Sequence, residues 1–105
     1  MALTRHFIET IKDRAETDPE FRIGLLTEAA ECFLNGEVAV GKTLLRDYVN
    51  ATIGFQKLGK LVGKKPESLM RMLSDKGNPR ADNLSRLMGT LLQHEGIGLH
   101  VEACH

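Results

Sequence analysis

The sequence is poor in cysteine, in net charge and in long apolar runs, and each shortage removes a class of protein. Its 105 residues include two cysteines and carry a formal net charge of zero. Small secreted domains held by disulfides are richer in cysteine, so we expect a cytoplasmic protein with Cys32 in the core and Cys104 in a mobile tail. No apolar run is long enough to cross a bilayer, and no signal-peptide block opens the chain. We therefore expect one soluble domain with no membrane partner.

Charge is unevenly distributed along the chain although it sums to zero. Between Lys57 and Arg80 there are seven basic and two acidic residues, a net charge of +5, so the remainder carries −5. A basic face on an acidic body is the electrostatic footprint of a nucleic-acid-binding protein. A solvated lysine-rich helix face would give the same count, and charge alone leaves that alternative open.

Apolar residues recur at helical spacing, and turn signals divide the chain into six helices. Asp18 caps the second helix, Pro19 takes its first position, and Asn35-Gly36 closes it. The third helix is predicted from about Val40 to Ala51, and the sixth ends at Gly96. The residues predicted to face inward are Leu3, Phe7, Ile8, Ile11 and Ala15 in the first helix, Phe21, Leu25, Leu26, Ala29, Phe33 and Leu34 in the second, Leu44, Leu45, Tyr48 and Val49 in the third, and Leu84, Leu87, Met88, Leu91 and Leu92 in the sixth.

The fourth and fifth helices, predicted over Phe55–Val62 and Pro66–Ser74, form a helix-turn-helix. The link between them is too short for anything but a tight turn, and Pro66 can only open a helix. Two short helices joined in this way are the usual device for laying one helix into the DNA major groove. The residues of this pair predicted to be buried are Leu58, Leu61, Val62, Leu69, Met72 and Leu73.

The outward face of the fifth helix is where base edges would be read. The predicted base-reading residues are Lys65, Glu67, Ser68 and Arg71. Arg71 is the strongest candidate because a guanidinium can bond O6 and N7 of guanine together, whereas Glu67 either accepts from cytosine N4 or favours the helix dipole. The predicted phosphate contacts, which give affinity without sequence information, are Gln56, Lys57, Lys64, Lys76, Asn78 and Arg80.

The C-terminal segment changes its period, since Ile97, Leu99, Val101 and Ala103 alternate with polar residues or glycine. This alternation predicts a half-buried β-strand. A single strand in a helical protein has no partner within its own chain, so it either frays or pairs with the same strand of a second subunit. We favour pairing, because an unpaired strand edge is costly.

The segment Gly36–Thr43 matches the phosphate-binding pattern G-x-x-x-x-G-K-T. In a nucleotide-binding protein Lys42 would reach the outer phosphates and Thr43 would hold magnesium. That chemistry needs a strand before the loop and a parallel sheet around it, but the preceding residues run at helical period. We therefore interpret Gly36 as a helix C-cap and Gly41-Lys42-Thr43 as the start of the third helix.

Other chemical groups give no pattern typical of catalysis or metal binding. His100, Cys104 and His105 have no second ligand pair at the spacing of a zinc finger. No local cluster supplies a nucleophile, a base and an orienting acid. We expect no enzyme activity, no cofactor and no metal.

The segment Gly63–Pro79 contains the pattern Leu-x-x-x-Leu-Ser-x-x-Gly-Asn-Pro and resembles the helix-turn-helix antidotes of bacterial addiction modules. These belong to the lambda-repressor-like, or Xre-type, group of DNA-binding domains. The close resemblance covers about Tyr48 to Val101, and Arg46–Phe55 is similar to uncharacterised regulators of the same kind. The chain departs from the family at Lys65, a position usually filled by Ser or Thr, so the fifth helix lacks a good N-cap.

The resemblance implies a dimeric transcriptional repressor, often of its own promoter, that binds double-stranded DNA. It also implies an alternative, an antitoxin whose main role is to bind and neutralise a partner toxin protein. We expect an all-α, lambda-repressor-like helix-turn-helix bundle, one structural domain in three parts. These parts are an N-terminal helical hairpin (residues 1–36) packed on the core, the helix-turn-helix core (37–96), and a C-terminal strand and tail (97–105).

Overall fold

The computed structural model describes the backbone of residues 5–105 and the side chains from Ile11 onward. Within that range every regular element is an α-helix, which confirms the all-α class. The helices are α1 (Arg5–Thr17), α2 (Pro19–Leu34), α3 (Val38–Ala51), α4 (Phe55–Val62), α5 (Pro66–Met72) and α6 (Ala81–Glu95). The predicted inward positions Leu3, Phe7 and Ile8 lie outside the described side chains.

The ends of the helices follow from the residues that the sequence places there. The Asp18 carboxylate accepts hydrogen bonds from the backbone N–H groups of Glu20 and Phe21, at 3.1 and 3.2 Å, which satisfies two donors in the first turn of α2. Gly63 ends α4 in the left-handed region at φ 70°. A residue with a Cβ is strained in that conformation, so glycine permits the sharp turn into α5.

One apolar core is shared by the five helices from α2 through α6. Within it, α2 packs along α3, and α4 packs on both α5 and α6. Its buried members are Leu26, Ala29, Leu45, Tyr48, Val49, Phe55, Leu58, Val62, Leu69, Leu73, Leu87 and Leu91. Two residues predicted to be inward are exposed instead, Leu34 to 69% and Leu61 to 54%. Leu34 is the last residue of α2. The side chain of Leu61 projects from a side of α4 that faces away from the buried residues of that helix. The helical period was therefore right, but the predicted apolar stripes were too wide.

The C-terminal segment is not a strand in the structure, so that prediction was wrong for the single chain. Residues 97–105 adopt no regular secondary structure, and Leu99 and Val101 are 39% and 75% exposed. A strand needs a neighbour for its backbone N–H and C=O groups, and the rest of the described chain is helical. Pairing with the same segment of a second copy stays a prediction.

A largely buried polar cluster joins four helices, α1, α2, α3 and α6. Arg22 of α2 donates from Nε to Glu95 Oε1 of α6 at 2.8 Å, and Tyr48 of α3 donates its hydroxyl to the same oxygen at 2.7 Å. Arg22 also donates to the carbonyl of Ala15 in α1. Burial and the adjacent carboxylate raise the pKa of Tyr48 well above its usual range, so the phenol stays protonated and remains a donor.

No helix in the described part of the chain is long and apolar enough to cross a membrane. Cys32 is buried and Cys104 is exposed, and both are free thiols.

Candidate nucleic-acid interface

Helices α4 and α5 meet at an unusually close backbone contact. A Cβ added to Gly59 of α4 would lie 2.6 Å from the carbonyl oxygen of Lys64, in the turn before α5. Glycine at this position therefore lets the turn lie directly against α4. Pro66 opens α5, and Lys65 at its N-cap makes no side-chain hydrogen bond to the helix, as expected where Ser or Thr is missing.

The four predicted base-reading residues are all exposed: Lys65, Glu67, Ser68 and Arg71. Leu69 anchors the opposite side of α5 in the core, at 1% exposure. The same outward side also carries Met70, 47% exposed, which sequence reasoning missed.

A groove of about 360 Å³ brings together residues that the sequence assigned to both kinds of DNA contact. It runs between α5, the loop after it and the first turn of α6. The predicted contact residues that line it are Lys64, Ser68, Arg71, Lys76 and Asn78. Asn83 of α6 also lines this groove and was not predicted, since nothing in its local pattern links α6 to α5.

A second groove, of about 320 Å³, shares Lys64 with the first and extends the surface across the turn to α4. Gln56, Lys60 and Lys65 line it, together with backbone of the turn glycine Gly63. Lys60 is a further missed residue. We call the combined surface the basic face, and it consists of Gln56, Lys60, Lys64, Lys65, Ser68, Arg71, Lys76 and Asn78.

Three predicted contact residues, Lys57, Glu67 and Arg80, line neither groove. Arg80 forms an exposed ion pair with Asp82 at 3.5 Å. Among the residues with described side chains, no ion pair involves a lysine or arginine of the basic face. The lysines and the arginine of this face are therefore not neutralised by close ion pairs with these residues, which leaves them available to an anionic partner.

Two basic residues of α3 hold the end of α5 from behind the basic face. Lys42 is 5% exposed and donates from Nζ to the carbonyl oxygens of Ser74, Asp75 and Gly77, at 2.8, 3.3 and 2.7 Å. One turn along α3, Arg46 donates from Nη1 to the carbonyl of Leu73 at 3.0 Å. Backbone carbonyls at the end of a helix have no partner within it, and a cation is a favourable one.

This arrangement also shows how Gly36–Thr43 folds. A helix, α2, precedes the segment, Gly36 takes a left-handed turn at φ 82°, and Lys42 lies inside α3 with its donors used by the protein itself. The interpretation as a helix end followed by a helix is confirmed. The role of Lys42 was missed because the phosphate-loop match gave another account of the same lysine. A signal was present, since Lys42 shares the inward side of α3 with Leu45 and Val49.

Comparisons of the chain with protein-family models, with curated proteins and with solved structures found no match.

Proposed function

We propose that this protein is a sequence-specific, double-stranded-DNA-binding transcriptional regulator that reads DNA with α5 in a lambda-repressor-like arrangement. The observation that carries the proposal is the basic face, in which residues from α4, the turn, α5 and the following loop converge and form no ion pair with any described side chain. An α-helix with its side chains is about 10–12 Å in diameter, which suits insertion of an exposed helix such as α5 into a major groove about 12 Å wide.

The two kinds of contact fall on different parts of this face. Ser68 lies in the first half of α5 and Arg71 in its last turn, where base edges would be reached, and Met70 between them offers an apolar contact for a thymine methyl group. Lys76 and Asn78 lie in the loop that follows α5, where phosphates on the flank of the groove would be met. The proposal thus assigns specificity to α5 and most of the affinity to the loops around it.

The proposal includes a homodimer acting as a repressor. A symmetric dimer would read two half-sites about one helical turn apart, near 34 Å. The alternating apolar residues of segment 97–103 support this assembly, because their strand pattern lacks a partner within the described chain. The resemblance of Gly63–Pro79 to antidote repressors supports the same form of regulation.

Replacing Arg71 with alanine is expected to cost about 1–3 kcal/mol of binding free energy and to relax the preference at one base position. The reason is the loss of a bidentate contact to guanine. Binding to duplexes that vary one position at a time measures both effects. Arg86→Ala is the matched control, since Arg86 is an exposed arginine on α6 outside the basic face. If Arg71→Ala retained the full preference at every position, the assignment of α5 as the reading helix would be wrong.

Replacing Lys76 with methionine is expected to weaken binding to all sequences by a similar factor. Loss of one phosphate contact reduces the number of released counter-ions, so the slope of log K against log salt should become shallower by about 1. A titration series in sodium chloride measures this slope. A change of sequence preference with an unaltered slope would place Lys76 at a base instead of a phosphate.

A further inference from the structure

Lys42 of α3 is bound to the loop after α5 by more hydrogen bonds than simple packing of the two would require. Lys42 is 5% exposed, and its ammonium group donates to three carbonyl oxygens. A buried ammonium needs such partners, because burying it unpaired is very costly. These hydrogen bonds therefore fix the short segment 74–77, which supplies the three carbonyls, relative to α3.

The carbonyls that Lys42 and Arg46 bind lie in the same segment as several of the proposed DNA contacts. Leu73 and Ser74 follow directly on the last turn of α5, two and three residues after Arg71. Gly77 lies between Lys76 and Asn78, the two loop residues of the basic face. The same two side chains of α3 thus hold both the base-reading helix and the phosphate-contacting loop.

Few apolar side chains hold α5. It has seven residues, its main neighbour is α4, and its buried apolar anchors are Leu69 within the helix and Leu73 at its C-cap. Its N-cap residue Lys65 supplies no capping hydrogen bond. Three hydrogen bonds from Lys42 to the loop after α5, and one from Arg46 to the C-cap residue Leu73, therefore add to the burial of Leu69 and Leu73 in fixing how the C-terminal end of α5 is oriented. Because α3 is also the helix most extensively packed on α2, this constraint links the N-terminal helices to the reading helix.

We propose that Lys42, assisted by Arg46, is the positioning residue for DNA reading: it fixes the angle of α5 and the loop, and thereby sets sequence specificity without touching DNA. This inference rests on the proposed function. A site misplaced by about 1 Å loses much of its preorganised geometry, so loss of these hydrogen bonds should reduce discrimination more than general affinity.

The test compares the specificity ratio, the Kd for random duplex divided by the Kd for the selected duplex, between variants. Lys42→Met keeps the length and apolar stem of the side chain and removes its donors. Arg46→Met removes a single, half-buried hydrogen bond and serves as the milder variant if Lys42→Met does not fold. Lys12→Met is the control, since Lys12 is an exposed lysine of α1. Thermal unfolding by circular dichroism fixes a temperature at which each variant is fully folded.

We expect the specificity ratio to fall at least tenfold in folded Lys42→Met and about threefold in Arg46→Met, across all base positions, while Lys12→Met matches the wild type. The salt slope of nonspecific binding should stay unchanged, because no phosphate contact is removed. A purely structural role for Lys42 would lower the melting temperature and leave the ratio of the folded protein unaltered. That result in both variants would overturn the inference, and the proposed function would stand. A wild-type protein that selects no sequence would overturn both.

Discussion

Replacing Glu95 with alanine is expected to lower the free energy of unfolding by about 3 kcal/mol. The carboxylate is 8% exposed and is shared by the Arg22 guanidinium and the Tyr48 hydroxyl. Removing one member of a buried ion pair leaves the other charge without its counter-ion, which typically costs about 3–5 kcal/mol. Arg22 is 23% exposed and so recovers some hydration, which places the effect near the lower end. Urea unfolding followed by circular dichroism measures the change.

The comparison for this prediction is Glu28→Ala, which removes an exposed glutamate from α2 and should change stability by about 0.5 kcal/mol or less. A double-mutant cycle then isolates the pair. In an Arg22→Met background the loss of Glu95 should cost much less, because no orphaned charge remains. Equal costs in both backgrounds would show that the ion pair does not join α2 to α6.

Replacing Gly77 with alanine is expected to cost about 3 kcal/mol and to weaken DNA binding as well. An added Cβ would meet the carbonyl oxygen of Met72 at 2.6 Å and that of Arg71 at a still closer approach. Both obstacles are backbone atoms of α5, so neither can move aside as a flexible side chain would, and the cost falls at the upper end for overpacking. The displaced loop would also carry away the carbonyl that Lys42 binds.

Gly89→Ala is a control that should change the free energy of unfolding in the opposite direction. Gly89 lies inside α6, and a Cβ there meets no heavy atom within 4 Å. Alanine in a helix interior is favoured over glycine by about 1 kcal/mol, so this variant should be more stable than the wild type. If Gly77→Ala were as stable as Gly89→Ala, the loop after α5 would not be packed as the structure describes.

The sequence predicted the helix-turn-helix pair well because its boundaries are set by local chemistry. Gly63 needs a left-handed conformation and Pro66 can only open a helix, so both ends of the turn are fixed by residues whose preferences few neighbours can override. The exposed candidates on α5 followed from the same periodicity. Leu61 was wrongly predicted to be buried. The spacing of apolar residues indicates which side of a helix faces the core, but it does not indicate how much of that side a neighbouring helix covers.

Contacts between distant parts of the chain could not be predicted in this way. Lys42 lies more than thirty residues before the carbonyls it binds, and the two are joined by three-dimensional packing of α3 against the end of α5. Asn83 of α6 lines the groove beside α5 for the same reason, since only folding brings the two helices together. The C-terminal alternation was a real strand pattern, but a strand forms only where a second strand supplies hydrogen bonds, and the single described chain offers none.

Selection from a pool of random duplex DNA at two salt concentrations shows whether the basic face reads a DNA sequence, as we propose. We predict enrichment of an inverted repeat with half-sites about one helical turn apart, bound much more weakly at the higher salt concentration. No enriched sequence at either salt concentration would contradict the claim.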